Sequence, residues 1–403
     1  MADPRKERAA IVAEAAERPV EIRVFRSIGE ADAVGEFWRS CRGHRDAEVD
    51  FYALILGSLP EAMRPHILAA YRAGRPVALL LARLERRPIP ARIGYLGVRT
   101  PTLRLLNFLY GGRVGEPSAE VDRAFIATIL ATLRAREADA AMLHYAPIDS
   151  PLYDGARTVP GFWRRDHFPS VLVHRARRLP TGPGAFLASL SANERSQQRR
   201  RAKRLRADFV ERVRIDGFRH ENELDRLLRD AEGVARASYQ RALGVGFHAG
   251  ERMRRRLALE AARGSLRAFI LYLDDQPRSF WILSLWDGVL YNDFLAYDQA
   301  YGRYAPGIFL VIEALAQVCD AAPPGRPYQL DFGMGEMEWK ARLGDRAWRE
   351  ANIYIFGATL RALCAGALCA VTALADRALR TALARIKLEA VVKRAWRRRL
   401  AKS

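Results

Sequence analysis

One order of elements occurs twice along the 403-residue chain, and this repeat constrains the fold more than any other feature. Alternating apolar residues predict three antiparallel strands in each half, and a helical apolar spacing and a final buried strand follow them. Pro76 and Pro277 stand at the same place after the first turn, about 200 positions apart. The predicted elements are His66–Tyr71, Pro76–Leu84, Arg104–Leu109, Ala119–Arg136 and Ala140–Ala146, then Arg267–Leu273, Pro277–Trp286, Val289–Tyr297, Pro306–Val318 and Tyr328–Phe332. The repeat predicts two tandem α+β units, each a mostly antiparallel mixed sheet flanked by helices.

A basic helix is predicted between the two halves, after the linker-like segment Pro180–Pro183. Ser189–Arg206 has helical character, with Ser191 or Asn193 as its N-cap. Seven of the thirteen residues from Glu194 to Arg206 are basic. Such a cluster either lies on a solvated helix face or contacts an anion or a membrane surface.

Composition excludes several classes of protein. Half of the residues are apolar and 9% are aromatic, which is enough for a substantial core and excludes a disordered tail or a fibre. The four cysteines and seven histidines show no metal-ligand spacing, so no metal site is expected. Scattered cysteines and a charged N-terminus without an apolar signal core predict a cytoplasmic protein.

The C-terminal segment differs from the rest of the chain. Ala362–Ala375 is a run of fourteen residues without a charge, too short and too rich in Ala to indicate a transmembrane helix. Arg377–Ser403 then mixes apolar residues with ten basic side chains and one acidic side chain. A basic helix with an apolar face is typical of a peripheral membrane contact, here on the inner face, and the alternative is a helix packed on the body.

A helix N-terminus in the second half is a candidate anion site. The segment Asp298–Ile308 ends in Pro306-Gly307, which opens the predicted helix. Unpaired N–H groups and the helix dipole favour a phosphate there, and Arg303 adds a charge-assisted contact. Because a Pro-Gly pair before a helix is usually only a turn, this signal is weak by itself.

Three segments resemble the GNAT acyltransferase superfamily, in the two-domain form shared by FemAB-like and CelD-like proteins. They are LSANERSQQRRRAKR (190–204), YAPGIFL (304–310) and LDFGMGEMEWK (330–340). In the family they correspond to an Arg-rich helix, the turn that opens the cofactor helix, and an Asp-Phe-Gly element that ends in Lys. Ala305 and Trp339 stand where the family usually has Ser and Tyr, and Tyr304 stands where its phosphate loop has Gly or Ala.

The resemblance implies a domain plan and a cofactor site. It implies tandem GNAT-like domains: an N-terminal one at 1–180, a C-terminal one with the acyl-CoA site at 185–356, and a basic amphipathic helical tail at 357–403. The third strand of the second half would pair its backbone with the pantetheine arm, and the helix amides would face the pyrophosphate. The implied cofactor-binding residues are Leu295, Ala296, Tyr297, Arg303, Ala305, Gly307 and Ile308.

Four side chains are candidates for the chemistry. An amine must be neutral to attack a thioester, so a carboxylate, a His or a relayed water must take its proton. Asp293 interrupts a strand and is otherwise a surface carboxylate, and Asp331 ends a buried strand and either caps the next glycine turn or polarises a substrate. Lys340 falls at the family's lysine position and is otherwise a structural ion pair. His248 lies in a Gly-flanked loop and is otherwise inert.

The implied function is acyl transfer from an acyl-CoA to an amine. The basic segments favour a membrane-associated lipid amine such as a sphingoid base, as in a bacterial ceramide synthase of GNAT type. An amino sugar of a surface polysaccharide is the alternative acceptor. A catalytically dead basic module for lipid or nucleic acid is the alternative of another class, although no recognised nucleic-acid motif accompanies the charge and no nucleic-acid partner is expected.

Overall fold

Two units make up this computed structural model, which describes residues 19–94, 96–210, 212–242, 246–323 and 327–385. Among these residues, the first unit contains the chain up to Leu172 and from Arg349 onward, and the second contains Val173–Trp348. The strands are β1 (Glu21–Phe25), β2 (Ala62–Arg72), β3 (Arg75–Pro88), β4 (Ala91–Ile93), β5 (Leu96–Val98), β6 (Thr102–Gly115), β7 (Ala140–Pro147), β8 (Ser170–Arg178), β9 (Val213–Phe218), β10 (Leu266–Leu273), β11 (Gln276–Trp286), β12 (Val289–Tyr297), β13 (Gln329–Met334) and β14 (Arg346–Phe356). The helices are α1 (Ile28–Ala31), α2 (Gly35–Ser40), α3 (Val49–Ser58), α4 (Ala119–Arg134), α5 (Pro151–Thr158), α6 (Ala185–Ser189), α7 (Ala192–Asp208), α8 (Leu224–Arg236), α9 (Tyr239–Ala242), α10 (Glu251–Ala262), α11 (Pro306–Asp320), α12 (Glu338–Leu343) and α13 (Leu360–Arg385).

In the first unit the strand order is β1-β2-β3-β6-β7-β14, and β6 and β7 are its parallel neighbours. Helix α4 connects these two strands, and its N-cap is Ser118, whose hydroxyl accepts from the Val121 amide. Its residues Phe125 and Ile129 recur at helical spacing and pack on Leu68 and other buried side chains of the sheet. Burial of this face holds the helix against the sheet.

The second unit repeats this plan with the strand order β8-β13-β12-β11-β10-β9. Its parallel neighbours β12 and β13 are connected by α11, whose buried residues pack on Trp281 and Leu330. Helix α7 lies beside α11, and the Gln198 amide nitrogen donates to Glu313 Oε1 at 2.7 Å. The predicted fold class of tandem α+β units with mostly antiparallel mixed sheets is confirmed by these two sets of strands.

The two units divide the chain differently from the predicted boundaries. The part of β14 from Arg349 belongs to the first unit because Glu350–Phe356 pairs with β7. Residues of β8 from Val173 belong to the second unit because β8 pairs with β13. The pattern gave no indication of β8, and it placed residues up to 356 in the C-terminal domain.

Helix α13 follows β14 and packs on the first unit. Ala362 and Ala365 are fully buried against a cluster that includes Met142 and Phe356, and the Gly94 amide donates to Asp376 Oδ1 at 2.7 Å. By length and composition alone, Leu360–Ala382 is one helix that is long and apolar enough to cross a membrane. It extends the uncharged run identified in the sequence. The rest of the predicted basic tail, residues 386–403, lies outside the described residues.

Candidate active site

Strand β12 separates from β13 part-way along its length. Their parallel pairing ends at Tyr291 and Asp331, whereas β12 continues to Tyr297. The side chain of Asn292 bridges the point of separation, because its amide nitrogen donates to Phe332 O at 3.3 Å and its oxygen accepts from Trp281 Nε1 at 2.6 Å. One edge of β12 beyond Asn292 is therefore not paired with β13.

Asp293 is the extra residue of a β-bulge in β12, since Ile282 pairs with Phe294 and Leu283 pairs with Asn292. Its side chain is only 5% exposed, and Oδ1 lies 2.7 Å from Arg256 Nη2. Ser284 Oγ donates to Oδ2 at 3.2 Å. The predicted catalytic carboxylate is thus held in a buried ion pair, which an acid–base role would first have to break.

Two backbone oxygens of the expected pantetheine strand already accept hydrogen bonds from side chains of the protein. Leu295 O accepts from Gln240 Nε2 at 3.1 Å, and Ala296 O accepts from Ser279 Oγ at 2.9 Å. Tyr297 lies against the start of α11, where a Cβ added to Gly307 would stand 3.2 Å from Tyr297 Cδ1. Glycine at 307 therefore allows the strand and the helix N-terminus to approach closely.

The N-terminus of α11 offers two free amides. Ala305 has a left-handed backbone, with φ of 51°, and its own N–H donates to Gly302 O at 3.0 Å. This bond corrects the expectation that the Ala305 amide faces a pyrophosphate. Pro306 has no N–H, whereas the amides of Gly307 and Ile308 have no acceptor among the described residues. These two amides are the available anion donors.

Basic side chains surround this helix start. Arg303 is 73% exposed, and its backbone oxygen accepts from Arg204 Nη1 of α7 at 2.9 Å. Tyr304 is buried below it and donates to Asp208 Oδ2 at 2.6 Å. The predicted basic helix therefore brings positive charge to the predicted phosphate position. Its N-cap is Ser191, which accepts from the Glu194 amide at 3.1 Å.

Asp331 lies where β12 and β13 separate and is bound by a histidine that sequence analysis did not single out. Its Oδ1 lies 2.6 Å from Nε2 of the fully buried His174 and accepts from the Gly333 amide at 2.7 Å. The His174 ring stacks on Trp348 at 4.2 Å. The second carboxylate oxygen, Oδ2, has no hydrogen-bond partner among the described residues.

Lys340 approaches the same carboxylate from α12. It is 6% exposed, and its Nζ donates to Met334 O at 3.0 Å. Burial lowers the pKa of the Lys340 ammonium to about 8, although the charge of Asp331 raises it. The site thus combines a carboxylate with a cation that titrates near neutral pH.

The structure brings two of the four predicted catalytic side chains together, Asp331 and Lys340. Asp293 belongs to the separate ion pair with Arg256, and His248 is exposed in the loop before α10 without a hydrogen-bond partner among the described residues. Among the described residues there is no group of three or more His, Cys, Asp or Glu side chains that could hold a metal ion. The catalytic roles stay predictions.

A family model matches the part of the sequence that contains this site. Residues 192–341 match the family model described as Acetyltransferase (GNAT) domain. Over these residues the second unit is similar to a GNAT domain. This match includes α7, the start of α11, and the segment from Asp331 to Lys340, which are the three segments that carried the resemblance. No curated protein matches the sequence.

Several solved structures are similar to this chain. FemX is 10% identical, with 83% of this chain and 97% of FemX covered and a TM-score of 0.51. The C-terminal domain of a lysylphosphatidylglycerol synthetase from Agrobacterium fabrum is 11% identical, with 84% and 94% covered and a TM-score of 0.47. A tandem GNAT protein from the clavulanic acid pathway is 10% identical, with 84% and 99% covered and a TM-score of 0.46. The likeness to FemX shows a common fold.

Removal of the buried ammonium is expected to change how stability depends on pH. Between about pH 8 and the unfolded pKa of 10.5, the unfolded chain binds a proton at Lys340 that the folded chain lacks, so this group makes the protein more stable as pH rises. Lys340→Met should lose this contribution, of order 3 kcal/mol over the whole window. Urea unfolding at pH 7 and pH 10 measures it, with the exposed Lys203→Met as control. An equal pH response in Lys340→Met and the wild type would contradict the assignment.

Proposed function

We propose that this protein is an N-acyltransferase that transfers an acyl group from an acyl-CoA to the amine of a membrane lipid, such as a sphingoid base. The observation that carries the proposal is the separation of β12 from β13 beside two free helix amides and the Asp331–Lys340 pair. It supplies an unpaired strand edge, an anion site and polar side chains within one GNAT domain.

The strand edge and the helix start suit the two ends of a CoA molecule. Backbone groups of β12 beyond Asn292 would pair with the amides of the pantetheine arm, and the Gln240 contact at Leu295 O would shift or be shared. The amides of Gly307 and Ile308 would bind the pyrophosphate, with Arg303 and Arg204 nearby. These contacts hold the thioester carbon in a fixed position, which raises the effective concentration of the thioester at the attacking amine.

Asp331 is the proposed proton acceptor. The amine nitrogen attacks the thioester carbonyl, the new C–N bond forms, and the amine proton moves to Asp331 Oδ2 directly or through one water. His174 and the Gly333 amide hold Oδ1, so that Oδ2 keeps a fixed direction. Collapse of the tetrahedral intermediate breaks the C–S bond and releases the CoA thiolate, which then takes up a proton.

Lys340 is proposed to act in its protonated form. The charge of Asp331 raises the pKa of the Lys340 ammonium and so favours this form. Its positive charge in a buried site also lowers the energy of negative charge on the substrate carbonyl oxygen. Since burial lowers the pKa of Lys340 to about 8, this contribution weakens above that pH.

A lipid acceptor is supported by the surface of α13. One face of this helix packs on the first unit, whereas Leu360, Val371 and Leu374 are 78%, 61% and 52% exposed. The chain beyond Asp376 is strongly basic. Exposed apolar side chains next to arginines fit the headgroup region of an anionic membrane, which supports the proposal of a peripheral enzyme on the cytoplasmic face.

Calorimetric titration with acetyl-CoA and palmitoyl-CoA tests the proposal. Palmitoyl-CoA should bind to the wild type, and an Arg303→Ala/Gly307→Trp variant should lose binding because the indole would fill the space next to Tyr297. A matched Arg212→Ala/Gly233→Trp variant changes an exposed Arg and a Gly with open space around it, and it should bind like the wild type. Binding of acetyl-CoA alone would favour the amino-sugar acceptor. A folded protein that binds neither thioester would contradict the acyltransferase.

Removal of the proposed proton acceptor should lower turnover without changing cofactor affinity. Asp331→Asn keeps the shape of the side chain but cannot take the proton, and kcat should fall by about 10²- to 10⁴-fold. Rates with a saturating long-chain amine and calorimetry with palmitoyl-CoA measure the two quantities. The control is Asp274→Asn, which alters a half-exposed ion pair with Arg212. Wild-type kcat in Asp331→Asn would exclude this role.

Membrane association should depend on the basic C-terminal segment. Deletion of Arg377–Ser403 removes ten basic side chains, each worth about 1 kcal/mol near an anionic surface, and should release the protein from anionic vesicles. Sedimentation with anionic and with neutral vesicles measures the bound fraction. The deletion starts after Asp376, so the contact of that side chain with Gly94 is retained. Unchanged binding to anionic vesicles would contradict a membrane role for this segment.

A further inference from the structure

A buried glutamate orients two arginines in the first unit, away from the GNAT domain. Glu85 of β3 is 2% exposed, and its two oxygens accept from Arg83 Nε at 3.1 Å and from Arg87 Nε at 2.8 Å. Asn107 of β6 donates to Glu85 Oε1 at 2.9 Å. Because residues two apart on a strand share a face, both guanidinium groups lie on the same side of the sheet.

The terminal nitrogens of both arginines are not used by the protein. Each guanidinium bonds Glu85 through Nε, and the Nη atoms of Arg83 and Arg87 have no acceptor among the described residues. The two side chains are nevertheless only 12% and 24% exposed. Four N–H-bearing nitrogens held in two planar forks, partly withdrawn from water, match the several oxygens of a phosphoryl group better than the two oxygens of a carboxylate.

The arginine pair lies beside the parallel strands of the first unit. Strand β3 is antiparallel to β6, and Arg83 and Arg87 pair with Asn107 and Leu103. The parallel pairing of β6 with β7 covers the β6 residues Leu105 to Phe108. The arginine pair therefore flanks this pairing on the neighbouring strand.

The groups next to the arginine pair add polarity without cancelling its charge. His144 follows the last residue of β7 that pairs with β6. Burial, together with the charge of Arg87, lowers the pKa of His144 to about 4, so its imidazole is neutral at pH 7. Asp46 also acts on His144 but is bonded to Arg45 at 3.3 Å. The net charge of the cluster is therefore one positive charge, from the three arginines Arg45, Arg83 and Arg87 and the two carboxylates Glu85 and Asp46.

We propose that Arg83 and Arg87, oriented by Glu85, form a phosphoryl-binding site in the first unit. This is a second ligand site, separate in the chain from the acyl-CoA site proposed above. The phosphoryl group belongs either to a soluble phosphate ester or to a phospholipid headgroup. Both sources present the same oxygens to the two guanidinium groups.

Titration with inorganic phosphate and glycerol 3-phosphate tests the site in full-length protein carrying Gly307→Trp, which blocks the helix amides of the second unit. Arg87→Gln and Arg83→Gln should each weaken phosphate binding by about tenfold or more, since each removes charge-assisted hydrogen bonds. Arg87→Lys keeps the charge but loses the fork and should be intermediate. The Arg87→Lys variant also tests the site if Arg87→Gln does not fold. Arg23→Gln, an exposed arginine bonded to Glu21 on β1, should bind like its parent.

Vesicles of phosphatidylcholine with and without phosphatidic acid separate the two sources. A parent that binds glycerol 3-phosphate, with loss in Arg87→Gln, indicates a soluble ester. A phospholipid headgroup is indicated if the parent binds only the phosphatidic acid vesicles, and if Arg87→Gln weakens this binding whereas Arg23→Gln does not. Equal binding by parent and Arg87→Gln to every probe, or no binding by the parent to any, would overturn the site. Palmitoyl-CoA affinity, measured in Arg87→Gln with Gly307 intact, should stay at the wild-type value whichever outcome is found.

Discussion

The separation of β12 from β13 is the constraint on which the candidate active site depends. A strand in the middle of a sheet normally has both edges paired, so it has no backbone groups left for a ligand. Here the Asp293 bulge shifts the register on one side, and the Asn292 side chain replaces a ladder bond on the other. The bulge also buries the negative charge of the Asp293 carboxylate, which Arg256 neutralises. Asp293 therefore bears on the site through the shape of the strand, because its carboxylate is held in a buried ion pair.

Local patterns were sufficient to predict most of the repeated elements. Alternation and hairpin turns gave β10, β11 and β12 to within about a residue, and the apolar spacing of α4 and α11 gave both crossover helices. Strand β8 was missed because its sequence, SVLVHRARR, ends in a run of basic residues that resembles a surface segment. Its arginines are accommodated by partners far along the chain, as when Arg177 donates to Leu343 O. No local pattern contains that information.

The candidate site shows the same limit more sharply. The resemblance placed Asp331 and Lys340, which are close in sequence, but not His174, which is 157 positions from Asp331. A histidine in a strand has no periodic signal, and only the pairing of β8 with β13 brings it to the carboxylate. The expectation that the Ala305 amide binds a phosphate was wrong for a different reason. The turn was recognised, but its left-handed backbone, which directs the N–H to Gly302, is not apparent from the sequence.

The division of the first unit between two stretches of chain has a consequence for biosynthesis. Its sheet is completed by β14, which a ribosome makes only after the entire second unit. During translation, β7 would therefore stay an open edge, with the buried side chains of Met142 and Leu143, on opposite faces of the strand, incompletely covered, while the second unit is already able to fold. Strand β14, which completes the strand order of the first unit, is followed directly by α13. The helix with exposed apolar side chains therefore leaves the ribosome only after the strand that precedes it.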